Sequence, residues 1–530
     1  MAAGHIYRGQ SKALARVLVE ASALWLTAAT YATALDVIRA MVSRLVAIAG
    51  VALWTFAIPA VIGPPGAPGV PVAIAGEASA TVYWSAPSGA VSSYAVTASP
   101  GGAIATAGGS TLSAVVAGLS DGTSYTFTVT ASNSSGPGPA SAASNAVVAG
   151  RGAYQTLVPA RILDTRLGGG PLGPGATLNV QVLGQGGVPA SGVSAVLLNV
   201  TVTDTTAPSF LIVWPAGIPQ PLASNLNWTA GKTVPNLVEV AVGAGGQISF
   251  YNGFGTVDLV LDMEGYVGVP TAVLPPAGLY NPVVPNRVLD TRLGMGAPAA
   301  PVCAGQTISV KIAGTPGVPS TGVAAVVLNV TVTRTVVAPS SLTVYPTGTT
   351  RPSTSNLNFV PGQTLANGVI VKLGTGGSAG YVDFYDAAGH TDIVADVSGW
   401  FTDATSSSGG SRYVGLSPSR LLDTRTTQAV GPNTTRVLAV AGSGGVPTMV
   451  SAVPPTAVVL NITVTDTTAP SFLTLWPDST SQPLASDLNW VAGETLPNLI
   501  VVKLGADGSI DFYNGFGMTD VIVDVVGWYG

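Results

Sequence analysis

Apolar and polar side chains alternate with period two through most of this sequence. Thr81-Val-Tyr-Trp84, Ser93-Tyr-Ala-Val-Thr97 and Thr126-Phe-Thr-Val-Thr-Ala131 place their larger apolar groups at every second position. In an extended chain those groups fall on one face, so each segment reads as a half-buried strand. Other segments, such as Leu198-Asn-Val-Thr-Val-Thr203, are short β-branched runs. Gly, Pro and Ser turns punctuate them at intervals of about 8–12 residues, and no stretch has the 3.6-residue period of an amphipathic helix. The pattern predicts an all-β, turn-rich protein.

The strand pattern also repeats. Arg161-Ile-Leu-Asp-Thr-Arg166 returns as Arg287-Val-Leu-Asp-Thr-Arg292 and Arg420-Leu-Leu-Asp-Thr-Arg425. Leu198-Asn-Val-Thr-Val-Thr203 returns as Leu328-Asn-Val-Thr-Val-Thr333 and Leu460-Asn-Ile-Thr-Val-Thr465. Each copy closes on a carboxylate pair, at Asp258/Asp262, Asp392/Asp396 and Asp520/Asp524. The copies span 154–269, 280–402 and 413–530. A period of well over a hundred residues is too long for a solenoid or a propeller blade. Each copy is therefore expected to be a β-sandwich or jelly-roll-like domain of eight or nine strands around its own core. Pro270-Thr-Ala-Val-Leu-Pro-Pro276 and Thr405-Ser-Ser-Ser-Gly-Gly410 read as linkers, so the copies should be strung as beads.

Composition narrows the function classes. Only 8% of the 530 residues are charged while 47% are hydrophobic, and the net charge is −5. With no Lys/Arg run, a nucleic-acid binder is excluded. The single cysteine, Cys303, excludes a disulfide framework and a Cys-based zinc site, and His5 and His390 are the only histidines. Leu45 to Ile62 carries no charge and follows Arg39, Met41 and Arg44. It fits the apolar core and cleavage region of an export signal, with Ala57-Ile-Pro-Ala60 as the small-residue site, or a marginal membrane span. Translation from Met41 would give a compact basic start. The chain is expected to be secreted or at the extracellular cell surface, with membrane contact only through this segment.

Residues 65–149 resemble a fibronectin type III domain. Trp84 matches that family's core tryptophan, Tyr94 its strand-C tyrosine, and Leu119 with Tyr125 its tyrosine corner. The three copies resemble uncharacterised repeats in secreted and surface proteins of high-GC bacteria, marked by Leu-Asp-Thr-Arg and Gly-Trp-Tyr/Phe. The expected architecture is all-β: an N-terminal signal or membrane helix in 1–62, one fibronectin III-like β-sandwich, then three tandem β-sandwich or jelly-roll-like domains.

Six of the eleven arginines beyond residue 62 sit in the repeated motif. In a plain extended strand Asp164 and Arg166 share a face and Arg161 points to the other. Arg161, Asp164, Arg166 and Asp262 are read as a structural ion network joining the first and last strands of a copy. Arg287, Asp290, Arg292 and Asp396 repeat it, as do Arg420, Asp423, Arg425 and Asp524. Charges in so apolar a chain need partners if buried, and loss of Asp164 should unfold the first copy alone. A calcium site from the carboxylate pair is the competing reading. Trp214, Trp228, Tyr345, Phe359, Trp476 and Trp490 recur in register; exposed they would form a ligand platform, buried they would be core. No glutamate or histidine recurs between copies, which leaves no paired-carboxylate or histidine chemistry and no cofactor. Asn199, Asn329 and Asn461 begin glycosylation-like triplets inside apolar strands, where the match is fortuitous. These readings point to a non-enzymatic exported protein with a spacer, adhesion or matrix role, meeting surface polysaccharide or other extracellular macromolecules. The alternative is a carbohydrate-binding accessory of a polysaccharide-degrading system.

Overall fold

Asp164 pairs with Val260 and Leu163 with Leu261, but Asp262 pairs with Arg161, leaving Ile162 as an extra residue. This β-bulge belongs to a sandwich that recurs three times in the computed structural model, which describes residues 63–269 and 277–530. The expected export segment within 1–62 and the linker 270–276 lie outside the described residues. Among the described residues no helix is long and apolar enough to cross a membrane.

In the first copy one sheet runs Val234–Ala241, Val193–Thr203, Asp258–Gly268, Tyr154–Asp164, and the other Thr177–Gln181, Gln247–Asn252, Ser209–Pro215, Leu226–Trp228. In chain order these are strands six, three, eight and one, facing two, seven, four and five. That is the double-sheet jelly roll. The second and third copies have the same two sheets, with one additional two-residue strand, Val302–Cys303, in the second.

The copies are not beads. The inner strands of the first sheet of each, such as Val193–Thr203 and Val234–Ala241, are buried on both faces, because their side chains feed two cores. From Val193–Thr203, Val196, Leu198, Val200 and Val202 enter the copy's own sandwich. Ala195 and Leu197, on the opposite face, join a cluster shared with Ala325 and Val327 of the second copy and Ala457 and Val459 of the third. The expectation of three independent cores is corrected here: each sandwich has its own core, but all three also close around a fourth.

That centre is sealed by backbone and aromatic pairing. Tyr154 N donates to Gly278 O (3.0 Å), Tyr280 N to Ser411 O (2.8 Å) and Gly152 N to Tyr413 O (2.9 Å). The rings of Tyr154 and Phe401, and of Tyr280 and Tyr529, lie 4.4 Å apart between centroids. The glycine of the Gly-Trp-Tyr/Phe signature makes room for them. A Cβ at Gly399 would sit 2.2 Å from the Tyr280 hydroxyl, and one at Gly527 would sit 2.3 Å from the Tyr413 hydroxyl.

Six buried asparagines complete the closure. Asn236 donates to Asn461 (2.8 Å), Asn367 to Asn199 (2.9 Å) and Asn498 to Asn329 (2.8 Å), so the second copy reaches the first, the third the second, and the first the third. Asn199, Asn329 and Asn461 spend their side-chain N–H on Ser355, Ser486 and Ser224 carbonyls, at 2.6, 2.6 and 2.7 Å. A buried carboxamide costs stability unless it is satisfied, and these are. Glu239 is buried here without such partners, as is the Tyr529 hydroxyl. Glu239 occupies the position of Ile370 and Val501 on its strand, and neither carboxylate oxygen has a partner. Burial pushes its carboxyl well above the usual range.

Residues 63–149 form a separate sandwich, with Val72–Gly76, Ser79–Tyr83 and Ser113–Ala117 in one sheet and Ile104–Gly108, Ser93–Ser99, Ser124–Asn133 and Gly136–Ala140 in the other. Trp84 packs on Tyr94 at 5.1 Å in its core. Val72 and Ile74 lie against Ile212, Trp214 and Ile218 of the first copy.

Candidate ligand cleft between two copies

The bulge at Ile162 decides the geometry of the arginine motif. By inserting one residue it turns Arg161 to the side of Asp164, so the alternation-based placement of Arg161 on the opposite face is corrected. Arg161 clamps Asp262 through Nε (2.8 Å) and Nη2 (3.0 Å) and reaches Asp164 at 3.5 Å. Arg166 holds Asp164 through Nε (2.8 Å) and Nη2 (2.6 Å). The second copy repeats this with Arg287 on Asp396 (2.8 Å) and Arg292 on Asp290 (2.6 Å). In the third, Arg420 pairs with Asp524 and Arg425 with Asp423 (2.6 Å). The hydrogen bonds of Arg166, Arg292 and Arg425 hold Asp164, Asp290 and Asp423 below the usual carboxylate range. Burial pushes Asp262, Asp396 and Asp524 up, against the pull of their arginines. The other carboxylate of each closing pair does separate work: Asp258 accepts from Thr165 (2.6 Å), Asp392 from Thr291 (2.8 Å) and Asp520 from Thr424 (2.7 Å). Among the described residues no group of three or more His, Cys, Asp or Glu is arranged around a metal position.

The aromatic platform is not formed. Trp214, Trp228, Tyr345, Phe359, Trp476 and Trp490 are all buried, because their strands turn these rings into packed faces. Trp228, Phe359 and Trp490 enter the sandwich cores, while Trp214 is covered by the N-terminal sandwich. Trp214 and Trp476 donate Nε1 to the Ile218 and Thr480 carbonyls, at 3.1 and 3.2 Å. Cys303 and His390, far apart in sequence, are cross-strand partners.

The arginine motif of the first copy instead borders a cleft of about 640 Å³ shared with the second copy. Arg161, Arg166, Thr201, Thr203 and Lys232 come from one side, and Ser341, Thr354, Ser355, Asn358 and Ala388 from the other. Thr201 lies on the same strand face as Leu197 and Asn199, two steps farther along, where the shared centre gives way to the junction. Thr201 Oγ1, Thr354 Oγ1 and Asn358 Nδ2 are buried without hydrogen-bond partners. At the junction of the third and first copies the equivalent pair does meet, Asn227 Nδ2 donating to Thr463 Oγ1 at 3.4 Å. Sequence reasoning missed this cleft. The available signal was the set of departures in the second copy, which has Ser341 where the others have Phe210 and Phe472, and Ala388 where they have Phe254 and Phe516.

In the N-terminal sandwich, Ser120 N donates to the Tyr125 hydroxyl at 2.9 Å, the tie of a tyrosine corner. Residues 63–147 match the family model of the fibronectin type III domain. Among solved structures, the FN1–FN3 domains of chicken CNTN1 are similar at 16% identity, over 64% of this chain and 95% of theirs, with a TM-score of 0.15. A structure of Sulfolobus Turreted Icosahedral Virus is similar at 14% identity, over 71% of this chain and 91% of its own, with a TM-score of 0.16. No curated protein matches the chain. The fibronectin type III domain is tied to the copies by Arg151, whose Nε lies 2.9 Å from Glu77.

Proposed function

We propose that this chain is a non-enzymatic, exported protein of the cell surface or extracellular space, acting as a spacer, adhesion or matrix component. The observation that carries the reading is the docking of a fibronectin type III domain onto a closed body of three jelly rolls. Such a body presents repeated surfaces on a fixed frame, and repeated weak contacts raise avidity without any single strong site. The charged motif supports the same reading. Its arginines and aspartates are engaged by one another, so the motif itself offers no free nucleophile or base. Separation of culture medium, envelope and cytosol tests the location: the chain should be found outside, beginning between about Ile58 and Gly66 if the apolar segment is cleaved. A soluble cytosolic pool that retains Met1 defeats export. Release of reducing ends from polysaccharide by the purified protein defeats the non-enzymatic reading.

A further inference from the structure

In the cleft between the first and second copies the threefold pattern is broken in favour of open space. Two phenylalanines of the other copies are replaced by Ser341 and Ala388 at its wall. Phe210 and Phe254 pack edge-on at 6.1 Å, and Phe472 and Phe516 at 6.4 Å, where the second copy has no rings. Its remaining lining mixes hydroxyls and carboxamides with apolar side chains such as Val260, Phe359 and Val360. Thr201 and Thr354, 4% and 5% exposed, keep hydroxyls with no protein partner. Thr354 takes the place of Ala223 and Ala485, so this buried hydroxyl is particular to the cleft. A desolvated hydroxyl without a partner is costly, and a ligand that supplies the missing hydrogen bond recovers that cost.

Charge narrows the ligand. Lys232 lies at the rim, where the other copies carry Gln363 and Glu494, and its ammonium makes no ion pair. Arg161 and Arg166 line the wall but are engaged by Asp262 and Asp164. One free cation with two neutralised ones suits a single carboxylate, not the dense charge of a nucleic acid or polyphosphate. The volume, about 640 Å³, is in the range of a site for an extended small ligand. We propose that this cleft binds a short segment of an acidic polysaccharide. A uronate carboxylate would be held at Lys232, and the ring hydroxyls by Thr201, Thr354 and Asn358. The proposal rests on the extracellular reading only for where such a polymer would be met.

The test is calorimetric titration of the full chain with oligomers of galacturonate, alginate and hyaluronate, each beside its carboxyl-methyl-ester form. At least one acid oligomer should bind, and its ester at least tenfold more weakly. Three variants copy residues that the other copies already tolerate. Lys232→Gln should weaken binding about tenfold, Thr354→Ala several-fold, and Ser341→Phe should abolish it by refilling the wall. All three should leave the melting temperature within a degree or two. Absence of binding to every acid oligomer overturns the proposal, as does equal binding of acid and ester, or binding that survives Ser341→Phe. An exported chain that binds none of them loses only this proposal; one that binds but stays in the cytosol loses only the location.

Discussion

The fibronectin type III domain and the three-copy body bury similar strands in different ways. In the domain, strands such as Ser124–Asn133 alternate between buried and half-exposed positions, so one face makes a core and the other meets solvent. In the copies, Val193–Thr203 is buried on nine successive positions, because a second layer of sandwich lies behind it. A sheet with one buried face can stand alone. A sheet with two cannot, so each copy depends on its neighbours.

The strongest way to break this comparison is a charge in each kind of core. Leu197→Asp places a carboxylate in the shared cluster and should cost on the order of 5 kcal/mol. All three copies should lose their amide protection together in hydrogen exchange, while residues 63–149 keep theirs. Val129→Asp, in the fibronectin core, should unfold that domain alone. Separate loss of the first copy after Leu197→Asp would show that the copies are independent after all.

A stabilising change sharpens the same point. Asp487 accepts from Leu475 N at 2.7 Å, where Asn225 and Asn356 make the equivalent bond at 2.7 Å. Burial pushes the Asp487 carboxyl up to about 7. A raised folded value means that ionisation opposes folding. The penalty is absent below the unfolded value of about 4, grows as pH rises, and is complete above about 7. Asp487→Asn should therefore add roughly 4 kcal/mol at pH 8 and almost nothing at pH 4. The gain should appear in the one transition of the body, with the fibronectin transition unmoved. A gain that is equal at both pH values would show that ionisation is not its source.

The arginine motif gives the smaller effects. Asp262→Ala removes a buried carboxylate from a guanidinium that is 27% exposed, so about 2–3 kcal/mol is expected. The loss should be shared by all three copies in calorimetry, not confined to the first. Asp164→Ala should cost less, about 1 kcal/mol, because Arg161 keeps Asp262 and Arg166 is 44% exposed. Confinement of either loss to the first copy would again argue for separate units.

Much of this was legible in the residues. Trp84, Tyr94 and Tyr125 announce the fibronectin sandwich, and the three Asp-Thr-Arg motifs announce the copies and their first-to-last strand pairing. The side of Arg161 was not legible, since a bulge has no mark in period-two reading and shifts every side chain before it to the other face. Closure was not legible either. Leu198-Asn-Val-Thr-Val-Thr203 looks like any buried strand, and what tells one core from two is the partner of Asn199, which lies in the second copy. The cleft follows from closure, so it could be seen only afterwards.

The centre of the ring carries one consequence of its own. Were the three sandwiches separate identical chains, an acid at the Glu239 position would appear three times around one axis, in a space that holds a single unpaired carboxylate. Three would have to be neutralised together, because like charges that close in so dry a place cannot ionise independently. Joining the sandwiches in one polypeptide frees each position to change by itself, so Ile370 and Val501 can stand at the positions equivalent to Glu239. The same freedom gives one junction, and not all three, a lysine at its rim. Covalent linkage turns a symmetric assembly into one that can be asymmetric where chemistry requires it.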